Sequence, residues 1–234
     1  IVENIVDGLI TIDEKGIVAS FNPAAVRIFS YQPEEVIGNN IKMLMPEPFH
    51  SEHDDYLNNY RQTRHKKIIG TGREVEGLRK DGSFFPLDLS VSEVLVAGER
   101  LFIGVVRDIT ERKEKEVIVR KLSRVVEETG EAICVVNLKS VIEYVNPSFC
   151  KLTGYSSDEL LGMTPGMLVG QKKSLSFYKK LWKTIRSGKA WNSAGFGRRK
   201  NGEEYPVLVS ASAVHDEHGN ITHFIWLQQD MTEY

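Results

Sequence analysis

Cysteine is scarce in this sequence. The 234 residues include only two, Cys134 and Cys150, and both lie in apolar segments of the second half. A fold held together by several disulfides is therefore excluded. We expect the two thiols to be small core residues of a reduced, cytoplasmic protein, because disulfides are rare in that compartment.

Long apolar runs and an excess of charge are also absent. No run approaches the roughly 20 residues of a membrane-spanning helix, and no signal peptide is visible. The net charge of −2 gives no basis for binding nucleic acid or an anionic membrane. Because the first residue is isoleucine, we expect a fragment of a longer protein.

Motifs of catalysis are missing as well. The sequence contains no Ser/His/Asp set, kinase motif or phosphate-binding loop, so we expect no enzymatic activity from it. His50 and His53 lie three residues apart, but no nearby Cys or His completes the four ligands that zinc requires. A binding or sensory role is favoured instead.

Several motifs of the first half recur in the second half in the same order. The recurring segments are Asn22-Pro23 and Asn146-Pro147, Tyr31 and Tyr155, Gly38 and Gly162, Arg79-Lys80-Asp81-Gly82 and Arg199-Lys200-Asn201-Gly202, and Asp108-Ile109-Thr110 and Asp230-Met231-Thr232. A repeat of this length predicts tandem domains of one fold rather than a solenoid. We assign residues 1–111 and 129–234 to the two domains and residues 112–128 to a linker.

The beginning of the first half predicts strands followed by short helices. Residues 8–13 and a segment ending at Phe21 have the composition of two strands. Asn22 before Pro23 is typical of a helix N-cap, because the Asn side chain accepts a backbone hydrogen bond and proline suits the first helical position. A second short helix is expected from Gln32.

The end of the first half predicts a hairpin and three strands. Asp81-Gly82 is the signal of a two-residue turn. After it, Phe85, Leu87, Leu89 and Val91 alternate with other residues, which indicates a strand with one buried face. A last strand is expected over 101–107. The order of elements predicts an α+β fold, with a five-stranded antiparallel sheet and helices on one face.

The segment between the halves predicts an amphipathic helix. Residues 111–128 are rich in charge and contain neither glycine nor proline. Ile118, Leu122 and Val125 follow at helical spacing and form a narrow apolar stripe. The stripe favours a coiled coil with a second copy, and hence a homodimer. A helix packed on its own domain is the alternative.

Both halves resemble the PAS family. The residues that carry the resemblance are Asn-Pro after two strands, the Arg-Lys-Asp-Gly hairpin and the closing Asp-Ile-Thr, with their counterparts in the second half. The resemblance implies a sheet that encloses a ligand pocket with its helices. It also implies a sensory input module for signal transduction.

The first half resembles more narrowly the haem-binding PAS domains of FixL-type oxygen sensors. The matching segments are 44–48, 52–60, 68–73 and 79–86. The resemblance implies haem b with His53 as the axial iron ligand and Arg73 as the residue that responds to oxygen. It further implies cofactor contacts from Tyr56, Leu57, Ile68, Leu89 and Val91. The sequence departs from that family at Asn59, Lys67 and Thr71, and Asn59 replaces a basic residue near the haem propionates.

Helix periodicity gives His53 an independent interpretation. Ser51 and Asp54 have the spacing of a capping box, which predicts a helix from there through Tyr60. His53, Leu57 and Tyr60 then share one apolar face. A single imidazole on such a face suits a haem iron, which needs one strong axial ligand and an open sixth position. A core histidine satisfied by hydrogen bonds is the alternative.

The second half has no counterpart of His53. A helix is expected over 175–188, and its aromatic residues together with Trp191 resemble flavin-binding PAS domains of the NifL and MmoS kind. Those domains carry asparagine where this sequence has Gly197. FAD in the second domain is therefore one interpretation, and an empty pocket or a dimerising domain is another. No cysteine lies in segment 162–171, so a light-driven flavin adduct is not expected.

The resemblance of the first domain implies a sensor of O₂, CO or NO. Ligand binding at the first domain would pass through the last strand and the linker helix to an output domain outside the chain, a kinase or a cyclic-dinucleotide enzyme. The alternatives keep the fold but replace haem by flavin or a small metabolite, or make both domains spacers without a cofactor.

Overall fold

The computed structural model describes residues 6–63, 72–169 and 174–232. They form two compact units, divided between Ile118 and Val119. The first unit contains β1 Gly8–Asp13, β2 Val18–Phe21, α1 Pro23–Phe29, α2 Pro33–Val36, a 3₁₀ helix Ile41–Leu44, α3 Phe49–Thr63, β3 Arg73–Leu78, β4 Phe84–Val96 and β5 Glu99–Asp108. The helix α4, Thr110–Glu128, contains the unit boundary.

The second unit repeats the same order of elements. They are β6 Ala132–Asn137, β7 Ile142–Val145, α5 Pro147–Thr153, α6 Ser157–Leu160, a 3₁₀ helix Pro165–Leu168, α7 Leu175–Arg186, β8 Trp191–Arg198, β9 Glu204–His215 and β10 Ile221–Asp230. In the described chain the two sheets have the orders β2-β1-β5-β4-β3 and β7-β6-β10-β9-β8. All pairs are antiparallel. The predicted α+β fold is confirmed.

A buried asparagine joins strand and helix in each unit. Asn22 caps α1 by accepting from the backbone N–H of Ala25 at 2.8 Å, as predicted. The same oxygen also accepts from the N–H of Leu9 in β1 at 2.9 Å. Asn146 repeats this arrangement with Phe149 and Ile133 at 3.0 and 2.9 Å. One side chain therefore fixes both the helix start and its position against the sheet.

The first predicted hairpin is present, but its connection is longer than two residues. The backbone N–H of Arg79 donates to the Ser83 carbonyl at 2.9 Å, so Lys80, Asp81 and Gly82 form a three-residue loop. Gly82 has φ of +84°, a conformation that favours glycine. A β-turn followed by a left-handed glycine is a common three-residue hairpin. The expected two-residue turn is therefore wrong in length.

The start of α3 also differs from the prediction. The helix begins at Phe49, so Ser51 lies inside it rather than at its cap. The Ser51 hydroxyl donates to the carboxylate of Glu47 at 2.9 Å, and Asp54 accepts from Lys42 Nζ at 2.5 Å. The capping box is therefore wrong, because both of its members are engaged elsewhere. The apolar face predicted for this helix does not depend on that cap.

The predicted linker helix corresponds to α4. None of its residues, all of which are described, is buried, and the stripe of Ile118, Leu122 and Val125 is exposed. Among the residues that the structure describes, no helix combines the length and apolar character that crossing a membrane requires.

A candidate cofactor pocket in the first domain

A cavity of about 570 Å³ lies in the first domain. Its walls come from the inner face of the sheet and from α3, and most of the lining side chains are apolar. The buried core of Ile10, Phe29, Leu44, Leu87 and Val106 contributes to its wall. The cavity therefore interrupts the core where sheet and helix would otherwise pack together.

Six of the seven predicted site residues line this cavity. His53, Tyr56 and Leu57 come from α3, Arg73 begins β3, and Leu89 and Val91 lie on β4. Ile68 lies outside the described residues, as do Lys67 and Thr71. Asn59, the residue that departs from the family pattern, also lines the cavity. The residues predicted from helix periodicity and those predicted from strand alternation therefore line the same cavity.

His53 offers an uncharged imidazole to the cavity. Burial lowers the pKa of His53, and nearby Lys42 lowers it further, although the Asp54 carboxylate acts in the opposite direction. The imidazole is therefore neutral at pH 7. Its Nδ1 atom is buried and has no hydrogen-bond partner among the described residues. The alternative of a core histidine satisfied by protein hydrogen bonds is not supported at this atom.

Arg73 brings a cation to the same cavity. It pairs across the sheet with Leu89, so both residues project from adjacent strands. The guanidinium carbon lies 5.9 Å from the centre of the Phe49 ring. The Arg73 Nε atom is buried, and no partner for it is found in the described chain. A buried donor without a partner is costly, so this atom is available to a polar ligand.

Sequence patterns missed the part of the lining that comes from the centre of the sheet. Ile10 and Ile12 on β1 and Phe102, Gly104 and Val106 on β5 all border the cavity. Alternation along β1 and β5 was the available signal, because every second residue faces the same side. Glycine carries no such signal, and the pairing of the first strand with the last is a long-range contact.

The second domain has a much smaller cavity. Its volume is about 90 Å³, and its lining includes Phe177, Trp191, Gly197, Trp226 and Gln228. Ligand sites commonly measure about 300–1,000 Å³, a range that includes the first cavity and excludes the second. Among the described residues, which exclude 170–173, this cavity is therefore below the usual size of a ligand site. Gly197 is explained by packing, because an added Cβ would lie 2.5 Å from Cζ of Tyr205.

Comparison with known proteins identifies the class. Residues 1–109 match the family model described as PAS fold, and residues 130–233 match that described as PAS domain. The chain belongs to the PAS family and consists of two tandem PAS domains.

Two relatives narrow this assignment. The sensor protein FixL of Bradyrhizobium diazoefficiens is 44% identical over 122 residues, which cover 52% of this chain and 24% of FixL. The oxygen sensor protein DosP of Escherichia coli K12 is 28% identical over 231 residues, 97% of this chain and 28% of DosP. This chain is thus a PAS sensory module homologous to those sensors and spans about a quarter of their length.

A solved structure is also similar in part. The PAS domain of a protein from Colwellia psychrerythraea matches with a TM-score of 0.43 and 17% identity, covering 50% of this chain and 99% of that one.

Proposed function

We propose that the first PAS domain binds haem b through His53 and senses O₂, CO or NO. The observation that carries the proposal is the buried Nδ1 atom of His53, which has no hydrogen-bond partner among the described residues, on the wall of an apolar cavity of about 570 Å³. Burial also lowers the pKa of His53, which favours the uncharged imidazole. A metal ligand histidine must be neutral, and lowering its pKa removes competition from protons. The similarity to oxygen sensors agrees with this assignment.

Five of the lining residues have a defined part in this proposal. When bound, haem supplies an iron that takes a diatomic gas. His53 would hold that iron, and Leu57 would pack against the cofactor one turn further along the same helix face. Leu89 and Val91 would limit the space beside it and keep water away. Arg73 would donate a charge-assisted hydrogen bond to a polar ligand or to a haem propionate, which would make the site sensitive to ligand polarity.

The route to the output helix begins beside Arg73. The next residue, Glu74, accepts from Lys113 Nζ at 2.5 Å and from Arg112 Nη2 at 2.7 Å. These two cations belong to the first turn of α4. A displacement of β3 at Arg73 therefore changes contacts at the start of the linker helix. Coupling energies between sites are typically about 1–3 kcal/mol, which is enough to bias an output domain in the full-length protein.

A second route runs through β5. This strand borders the cavity at Gly104 and Val106 and ends at Asp108, whose carboxylate accepts from the backbone N–H of Thr110 at 2.9 Å. Thr110 is the first residue of α4. We propose that a homodimer formed through the exposed stripe of α4 carries the change onward to a kinase or a cyclic-dinucleotide enzyme.

The visible spectrum tests the cofactor and its ligand. We expect a Soret band in the wild-type protein expressed with a haem precursor, and its loss in His53→Ala. His50→Ala is the matched control, because His50 lies on the same helix, contacts Glu47 and does not line the cavity. Its Soret band should equal that of the wild type.

Four spectral outcomes would contradict the proposal. A wild-type protein without a Soret band would exclude haem, and an unchanged band in His53→Ala would exclude the ligand. A yellow flavin spectrum would favour the flavin alternative. A colourless protein would favour a spacer or a metabolite-binding domain.

A further inference from the structure

The central strands of the two sheets share one equivalent position at which the side chains differ greatly in size. Gly104 on β5 pairs with Ile10 on β1 and with Val91 on β4. In the second domain, Trp226 on β10 pairs with Cys134 on β6 and with Ala211 on β9. Both residues thus occupy the same point of the same row, at the centre of the inner face. The first domain has glycine at this position, and the second domain has tryptophan, the largest side chain.

The glycine in the first domain leaves space rather than satisfying a backbone constraint. A Cβ added at Gly104 would meet only the Ile10 carbonyl oxygen and Leu89 Cδ1, both at 3.7 Å, which is ordinary contact. Gly77 shows the contrasting case, since its added Cβ would lie 2.6 Å from Leu87 Cδ2. Gly104 lines the large cavity. Its missing side chain therefore contributes directly to that volume.

The tryptophan in the second domain fills the corresponding space. Trp226 packs against the second core, and its ring centre lies 6.4 Å from that of Trp182 on α7. Trp226 borders what remains of the cavity. Trp182 in turn contacts Phe224, with ring centres 5.1 Å apart. The indole thus bridges the sheet and the helix across the place where the first domain is open.

The neighbours of this position change in the compensating direction. Ile10 and Val91 flank Gly104, whereas the smaller Cys134 and Ala211 flank Trp226. Cys134 and Ala211 are both almost completely buried. Volume-conserving exchanges of this kind are tolerated best in cores. The small residues beside Trp226 therefore make room for its indole. This also explains why Cys134 lies in this core.

We propose that this position on the central strand determines which domain of the chain takes a cofactor. Gly104 opens the first pocket, and Trp226 is an internal plug that closes the second to any ligand the size of haem or flavin. The part that concerns the first domain rests on the proposed haem binding. The plug in the second domain does not.

Indole is the probe for the plug. In the whole chain, Trp226→Gly should lower the unfolding temperature of the second domain, and added indole should raise it again. The rise should grow with the logarithm of the indole concentration, because a ligand that binds only the folded state stabilises it by mass action. The wild-type protein should show no such shift. If Trp226→Gly does not fold, Trp226→Leu with benzene as the probe makes the same test with a smaller hole.

Several results would overturn the plug. These are an equal shift of wild type and variant with indole, no shift of either folded variant with its probe, or a flavin that copurifies with the wild-type second domain.

Substitutions at Gly104 test the first domain. Gly104→Trp should abolish haem binding while circular dichroism shows an unchanged fold, and the control Gly104→Ala should keep it, because the added Cβ finds only ordinary contacts. The double variant Val91→Ala with Gly104→Trp secures folding if the single variant is unstable. Undiminished haem in a folded Gly104→Trp protein would overturn the assignment. A wild-type protein without haem would instead contradict the proposed function. The indole measurements would still test whether Trp226 closes the second pocket.

Discussion

The ion pair of Arg79 and Asp108 offers a sharp test of what holds the first domain together. Arg79 Nη2 lies 2.6 Å from Asp108 Oδ2, and Nη1 donates to the carbonyl of Ile28 at the end of α1. The guanidinium carbon stands 3.8 Å from the centre of the Phe85 ring. One side chain thus connects a helix, the hairpin and the end of the last strand. We predict that Arg79→Ala is strongly destabilising.

The magnitude follows from the contacts that are lost. Hydrogen bonds to charged groups contribute about 1.5–3 kcal/mol, and cation–π contacts about 0.5–2 kcal/mol. The two side chains are only 21% and 28% exposed, so solvent screens the pair incompletely. Because these contributions are not additive, we expect a loss of about 3 kcal/mol in the free energy of unfolding.

The neighbouring Lys80 provides the matched control. Lys80 Nζ lies 2.5 Å from Glu35, but these side chains are 48% and 39% exposed. Lys80→Ala should therefore cost less than about 1 kcal/mol, as exposed pairs do. Urea unfolding followed by circular dichroism measures both variants. Equal losses for Arg79→Ala and Lys80→Ala would refute the reasoning.

The second domain allows the same comparison. Arg199 Nη2 lies 2.7 Å from Asp230 Oδ2, and Lys200 Nζ lies 2.5 Å from Glu159. Arg199→Ala should shift only the transition of the second domain, because the two units are separately compact. Lys200→Ala again serves as the control.

The pair also predicts a dependence on pH. Burial alone would raise the pKa of Asp108, but hydrogen bonds from Thr110 and Arg79 outweigh it and hold that pKa below its ordinary value. A carboxylate with a lowered pKa stabilises the fold above the unfolded-state pKa of about 3.9 and loses this contribution as the pH falls through the folded-state value. The stability difference between wild type and Asp108→Asn should therefore shrink in acid. A difference that stays constant on acidification would contradict this sign.

Two further predictions concern the pocket and the core. Arg73→Ala should weaken O₂ binding more than CO binding, because CO is less polar and gains less from a charged donor; equal losses by gas titration would remove Arg73 from discrimination. Asn146→Ala should lower the urea stability of the second domain by about 2–4 kcal/mol, because this buried side chain accepts from the backbone N–H of Ile133 and donates to the carbonyls of Val126 and Glu131, which lose this partner. A loss below about 1 kcal/mol would contradict the role assigned to Asn146.

Local interactions made much of the fold predictable. The strand Gly8–Asp13 and the cap at Asn22 depend on residues close in sequence, and both are present as predicted. The helix predicted over 111–128 is present as α4, Thr110–Glu128, which begins two residues before the linker assigned to 112–128. The capping box at Ser51 failed because competing partners, Glu47 and Lys42, were not apparent from the spacing alone.

The lining residues of the pocket could be predicted only where they follow a helix or strand periodicity. His53 and Leu57 follow from helix periodicity and the resemblance, and the structure places both on the cavity wall. Gly104 was missed, because a glycine inside a strand has no periodic signature. Its place on the cavity wall depends on the pairing of β5 with β1 and with β4, and β1 is far from β5 in sequence. The contrast with Trp226 becomes visible only when both registers are known.

The repeated Arg–Asp pair has an evolutionary consequence. Arg79 with Asp108 and Arg199 with Asp230 brace both copies in the same way, and none of these residues lines either cavity. After a duplication, residues facing the pocket can therefore diverge without weakening the brace. One copy can therefore acquire or lose a ligand while the same Arg–Asp pair continues to connect its helix, hairpin and last strand, which suits a protein built from tandem modules.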